Sequence, residues 1–97
     1  MIQVHDIFVC KPGNASKVAK LFKEVMGNNK EVVGIMTDMT GQFNRVIMVS
    51  QYKDMAEYQK SWEAYMNPTK EMKEEMAKME GYQDKYLTGS REIYKIW

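Results

Sequence analysis

Along the first ten residues apolar and polar side chains alternate loosely: Ile2, Val4, Phe8 and Cys10 fall on one side of an extended chain, Ile7 and Val9 on the other. This period of two predicts a strand over Ile2–Cys10 with both faces at least partly covered. Lys11-Pro12-Gly13-Asn14 ends it, because proline fixes φ and has no amide proton, and Asn14 is suited to cap a helix. Ala15, Val18, Leu21, Phe22, Val25 and Met26 then recur at helical spacing, with Lys17, Lys20, Lys23 and Glu24 outside them. The pattern predicts an amphipathic helix over Ala15–Met26, stopped at Gly27.

Two further strands follow, Glu31–Thr40 around Val32, Val33, Ile35 and Met36, and Phe43–Tyr52 around Val46-Ile47-Met48-Val49. Asp38-Met39-Thr40-Gly41 between them is turn chemistry and joins them as a hairpin. Asp54, with Glu57 three residues on, is a capping signature that opens a second helix, whose Met55, Tyr58, Trp62 and Tyr65 share a face. Asn67-Pro68 interrupts it; proline is welcome in a first helical turn, so a new helix capped by Asn67 is expected there. That segment carries Met72, Met76 and Met79 on one stripe among charges of both signs and ends at Gly81. Tyr82–Gly89 reads as a connector or a short extended piece, and Arg91–Trp97 alternates as a fourth strand.

Strand, helix, hairpin, helix, strand is the split βαβ, or ferredoxin-like, order. An α+β fold follows, in which a four-stranded antiparallel sheet carries its helices on one face and residues 1–97 form one domain. The first three strands carry apolar side chains of both parities, which a sheet with one wet face would not. A second copy packed sheet against sheet supplies the missing layer, so the expected partner is the chain itself.

Composition narrows the partners further. A chain of 97 residues has room for one core, and its 14 basic residues nearly cancel 13 acidic ones, leaving a formal charge of +1. Such a balance provides no field for nucleic acid or an anionic membrane. No apolar run approaches the roughly 18 residues of a membrane span, and no basic region precedes a leader-like segment. Cys10 is the single cysteine, which rules out an intrachain disulfide and fits a reducing cytoplasm.

Phe8-Val9-Cys10-Lys11-Pro12-Gly13-Asn14 resembles the strand, KPG, helix opening of dimeric α/β-barrel proteins. Arg45-Val46-Ile47-Met48-Val49-Ser50-Gln51-Tyr52-Lys53-Asp54-Met55-Ala56-Glu57 is similar to the strand-to-helix corner of their NIPSNAP branch, with Gln51 where that corner often has Trp, and Asn67-Pro68 resembles the interruption of the second helix there. The resemblance runs through the chain and implies a barrel of two sheets with any ligand pocket between sheet and helices. It also implies relatives as diverse as antibiotic-biosynthesis monooxygenases, haem-degrading enzymes and isomerases, so fold alone carries no activity across.

Candidate chemistry is sparse. His5, the single histidine, is the one side chain suited to proton transfer near neutral pH and so the catalytic candidate, but Asp6 beside it in a strand points to the opposite face and cannot orient its ring. One histidine and one cysteine give no pair at ligand spacing, and neither a metal nor a cofactor is expected. The haem-degrading constellation implied by the resemblance needs a histidine that this chain lacks after Trp62. Cys10 and the methionine stripe read as core filling, and Arg45 and Arg91 either meet an anionic ligand or, by default, reach to water. Tyr58, Trp62 and Tyr65 fit a pocket wall, since each brings a polar atom that seeks a partner. The expected role is a non-catalytic dimeric domain holding a small apolar ligand against His5, Tyr58, Trp62 and Tyr94. The alternative is a cofactor-independent monooxygenase or isomerase for an aromatic, enolic molecule, with His5 or a tyrosine moving a proton.

Overall fold

The structure, a computed structural model, describes residues 1–39, 43–78 and 81–97, with residues 82 and 83 described by their backbone alone. β1 (Ile2–Cys10) and α1 (Ala15–Met26) have the expected bounds, and β2 (Val32–Thr37), β3 (Arg45–Tyr52), α2 (Met55–Met66), α3 (Lys70–Ala77), a 3-10 turn (Tyr82–Lys85) and β4 (Tyr86–Lys95) follow. The strands form one antiparallel sheet in the order β2-β3-β1-β4, the ferredoxin-like arrangement.

Register decides which side chains meet. Phe8 pairs with Val46, Val4 with Ser50 and Asp6 with both Met48 and Arg91, so these residues share the face that the helices cover. Against them α1 packs Val18 and Phe22, which with Cys10 and Val46 form the innermost cluster, flanked by Phe8, Ile35 and Tyr86. Phe22 meets Phe8 edge to face at 5.0 Å between ring centroids. The odd residues of β1 point the other way: Ile7 is opposite Ile47, His5 opposite Val49, and Gln3 opposite Gln51 and Tyr94.

The ends of elements depart from expectation in four places, each for a local reason. β2 and β3 are shorter than predicted because Asp38 closes the hairpin, its Oδ1 accepting from Arg45 N at 3.0 Å; Thr40 and Gly41 of the predicted turn lie outside the described residues. Asn14 stands at the N-cap of α1, but its side-chain amide donates to the Pro12 carbonyl instead of capping the helix. Asp54 does cap α2, accepting from Glu57 N at 2.9 Å. Asn67, however, closes α2 rather than opening α3: its N–H donates to the Glu63 carbonyl, and the following proline keeps it out of the helical region. Thr69 takes over the cap of α3, its hydroxyl accepting from Met72 N at 3.2 Å.

The predicted connector Tyr82–Gly89 divides in two. Gly81, at φ +88, turns the chain into the 3-10 turn as glycine alone does without strain, and Tyr86 already belongs to β4. Pairing with β1 imposes that early start: Tyr86 is opposite Cys10, Gly89 is opposite Phe8, and the Tyr86 ring meets that of Phe8 at 5.2 Å. No helix among the described residues is long and apolar enough to cross a membrane.

Candidate functional site

Between the sheet and the helices lies an open cavity of about 1050 Å³. β1, β3 and β4 give its floor through Asp6, Phe8, Met48 and Arg91; α1 gives one wall through Phe22, Val25 and Met26; α2 contributes Tyr65 and α3 Met72 and Met76. Its lining is divided: the sheet and α1 present chiefly Phe8, Phe22, Val25, Met26 and Met48, while α3 adds Thr69, Glu71, Glu74 and Glu75 beside its methionines, and Asp6 and Arg91 lie on the floor.

The methionine stripe of α3 therefore does not fill core as predicted. α3 buries none of its residues, Met76 is 46% exposed, and Met72 and Met76 face the cavity; Met79 lies outside the described residues. The reason is geometric: with Pro68 breaking the helix, α3 forms the outer wall of a space that α1 fills with Phe22 on the other side.

Polar chemistry in the cavity centres on Arg91. Its Nε donates to Asp6 Oδ1 at 2.5 Å across the β1–β4 ladder, and its guanidinium carbon lies 4.6 Å from the centroid of the Trp62 ring. Trp62 is one step of an aromatic series along α2, with Tyr52 to Tyr58 at 5.1 Å, Tyr58 to Trp62 at 6.3 Å and Trp62 to Tyr65 at 6.3 Å. The Tyr65 hydroxyl reaches Met26 Sδ at 3.9 Å. Burial above all, then the nearby Tyr52, pushes the Tyr65 phenol up from its ordinary value, with a hydrogen bond to the Asn29 side chain opposing. At neutral pH it is a protonated donor.

The four residues singled out for a pocket do not share one space. Tyr58 and Trp62 stand on the helix-covered side with Asp6 and Arg91, whereas His5 and Tyr94 project from the other face of the sheet, their rings 5.0 Å apart. There Gln51 Nε2 donates to Gln3 Oε1 at 2.9 Å, and Gln3 Nε2 lies 2.8 Å from His5 Nε2. An amide nitrogen can only donate, so in this arrangement His5 Nε2 accepts and the ring proton resides on Nδ1. Asp6 points away from His5, as strand alternation requires, and is engaged by Arg91.

Other candidates are occupied locally. Arg45 bridges Asp38 at 3.5 Å. Cys10 is 1% exposed and burial raises its thiol, which makes it an inert core residue. Among the described residues, no three His, Cys, Asp or Glu side chains converge as a metal site would need.

The sequence reading missed Asp6, Arg91 and Tyr65 as a group. A signal was present: Asp6 interrupts the apolar parity of Ile2, Val4, Phe8 and Cys10, and a carboxylate on a covered stripe calls for a cation opposite it.

Comparison with solved structures finds the same fold. An uncharacterised NIPSNAP-like domain protein from Burkholderia xenovorans aligns over 99% of this chain and 84% of its own at 17% identity, with a TM-score of 0.77. A NIPSNAP family protein from Agrobacterium tumefaciens aligns over 99% and 85% at 13% identity, TM-score 0.80. A Deinococcus radiodurans protein named for antibiotic-biosynthesis monooxygenases aligns over 100% and 93% at 6% identity, TM-score 0.60. At these identities the likeness is one of fold and carries no activity. No curated protein matches the sequence. The NIPSNAP family profile matches residues 6–88, from the carboxylate on the cavity floor to the opening of the last strand, and this chain belongs to the NIPSNAP family.

Proposed function

We propose that this NIPSNAP domain is a non-catalytic binding domain that takes a small, largely apolar molecule into the cavity between its sheet and helices, and that it works as a cytoplasmic homodimer joined through the helix-free face of the sheet. The observation that carries the binding reading is the cavity itself: about 1050 Å³ with a continuous apolar side of Phe8, Phe22, Val25, Met26, Met48 and Met72. His5, the residue singled out for general-base work, lies on the opposite side of the sheet from the cavity. Of the four residues expected to hold the ligand, Trp62 and Tyr58 take an indirect part in this reading, Trp62 by backing Arg91 and Tyr58 by meeting Trp62, while neither lines the cavity. The dimer reading rests on the helix-free face, where Ile7, Ile47 and Val49 sit among the polar Gln3, His5 and Gln51.

The test is a titration with 2-ethylnaphthalene, an apolar two-ring probe, followed through the methionine methyl signals of the intact protein. Saturable shifts at Met26, Met48, Met72 and Met76, with Met1 and Met66 unmoved, are expected. Absence of any shift up to the solubility limit of the probe would sink the binding reading.

A second reading, a cofactor-independent monooxygenase or isomerase acting on an aromatic, enolic molecule, draws on one observation, the protonated phenol of Tyr65 facing the cavity. In that reading Tyr65 rather than His5 moves the proton, and Tyr65→Phe would abolish turnover of a quinol or enol substrate while His5→Ala left it unchanged.

A further inference from the structure

We infer that the molecule taken into the cavity carries a neutral carbonyl oxygen, as a ketone, quinone, ester or amide does, at the end that meets Arg91 and Tyr65. The inference rests on the binding reading above and adds the chemistry of the ligand's polar end.

The cavity holds two donors that the protein leaves underused. Arg91 spends its Nε on Asp6 and lies 4.6 Å from the Trp62 ring centroid, while its terminal nitrogens make no hydrogen bond among the described residues. The Tyr65 oxygen is served by the Asn29 side chain, but among the described residues the hydroxyl proton has only a thioether to donate to, Met26 Sδ at 3.9 Å, and a thioether is a weak acceptor. Where water is displaced by an apolar molecule, such donors lose hydrogen bonds unless the ligand returns an acceptor.

Charge decides which acceptor. A carboxylate would meet Arg91 but also Asp6, already paired to it, and Glu71, Glu74 and Glu75 on the α3 wall, of which, among the described residues, Glu75 alone is bridged, to Lys78 at 3.2 Å. A cation would find those glutamates but would face the Arg91 guanidinium on the floor. Asp6 and Arg91 together are neutral, so the local demand is for an oxygen that accepts without bringing a charge. The planar fork of the guanidinium, oriented by Asp6 and Trp62, fits the in-plane lone pairs of a carbonyl.

Four probes with a common two-ring skeleton test this on the intact protein, with dissociation constants taken from the same methionine methyl signals: 2-ethylnaphthalene, 2-acetylnaphthalene, 2-naphthoate and 2-naphthylmethylammonium. The ketone should bind about fivefold or more tightly than the hydrocarbon, from one or two hydrogen bonds made in an apolar setting, and more tightly than either ion. Tyr65→Phe and Arg91→Lys, the latter keeping a cation beside Asp6 while losing the planar fork, should each reduce the ratio of ketone to hydrocarbon affinity several-fold, and a ratio unchanged in both would overturn the inference. A ketone no tighter than the hydrocarbon, or a charged probe that binds tightest, overturns the inference with the binding reading intact. If none of the four shifts any signal, the binding reading falls and this inference with it.

Discussion

Asp6 and Arg91 face each other across the β1–β4 ladder on the side of the sheet that the helices cover, and the carboxylate is the more enclosed partner, its side chain 14% exposed against 41% for the guanidinium. Removing the arginine therefore leaves a partly desolvated charge behind. After allowance for solvent screening at the open arginine, Arg91→Ala should cost about 1–2 kcal/mol in urea unfolding, and Asp6→Ala should partly rescue it. A double-mutant cycle measures the coupling, and a value within about 0.3 kcal/mol of zero would show that the pair contributes nothing to stability.

Ile47 and Val46 are neighbours on β3 with opposite tasks. Val46 is fully buried against α1, whereas Ile47, opposite Ile7, belongs to the helix-free face. Val46→Lys should unfold the domain. Ile47→Lys should leave a folded chain that sediments as a monomer where the parent sediments as a dimer. An unchanged dimer from Ile47→Lys would remove the sheet-to-sheet interface.

Thr69 caps a helix that buries no side chain. Loss of the cap in Thr69→Ala should cost α3 about 1 kcal/mol, raising amide exchange across residues 70–77 several-fold. The urea midpoint of the whole domain should stay where it was, since α3 contributes no core. A fall in that midpoint equal to the local loss would mean that α3 unfolds with the sheet.

Alkaline pH should weaken the fold in two steps. Burial raises the Cys10 thiol from its ordinary 9.0 and the Tyr65 phenol from its ordinary 10.0. The folded protein therefore holds these protons more tightly than the unfolded chain; the resulting stability is complete below those ordinary values and is lost as pH rises through the folded ones. Tyr65→Phe should lessen the loss that sets in above pH 10.0, and Cys10→Ala the part that begins near 9.0. Thermal midpoints from about pH 8 to 11 would reveal the difference, and parallel curves for parent and Tyr65→Phe would contradict it.

Periodicity made β1 and α1 legible to the residue, because each is bounded by chemistry that acts locally, Pro12-Gly13 after the one and Gly27 after the other. The start of β4 was not legible: Tyr86 to Gly89 become strand only by pairing with Cys10 to Phe8, some eighty positions away, and nothing in their own order demands it. The cap of α3 was misassigned because Asn67 and Thr69 flank the same proline and either can cap. The aromatic stripe of α2 was correctly seen as a stripe, yet its company was not: sequence alone joined Tyr58 and Trp62 to His5 and Tyr94, and strand parity puts the sheet between the two pairs.

α3 supplies a wall of the cavity and none of the core. That wall can therefore change with little cost to the fold, whereas Phe8 and Phe22 serve cavity and core at once. On the proposed binding role, a substitution along α3 such as Met72→Leu or Glu74→Lys should alter what the cavity admits while costing the sheet almost nothing, which would let the choice of ligand drift under selection without a matching repair of stability elsewhere.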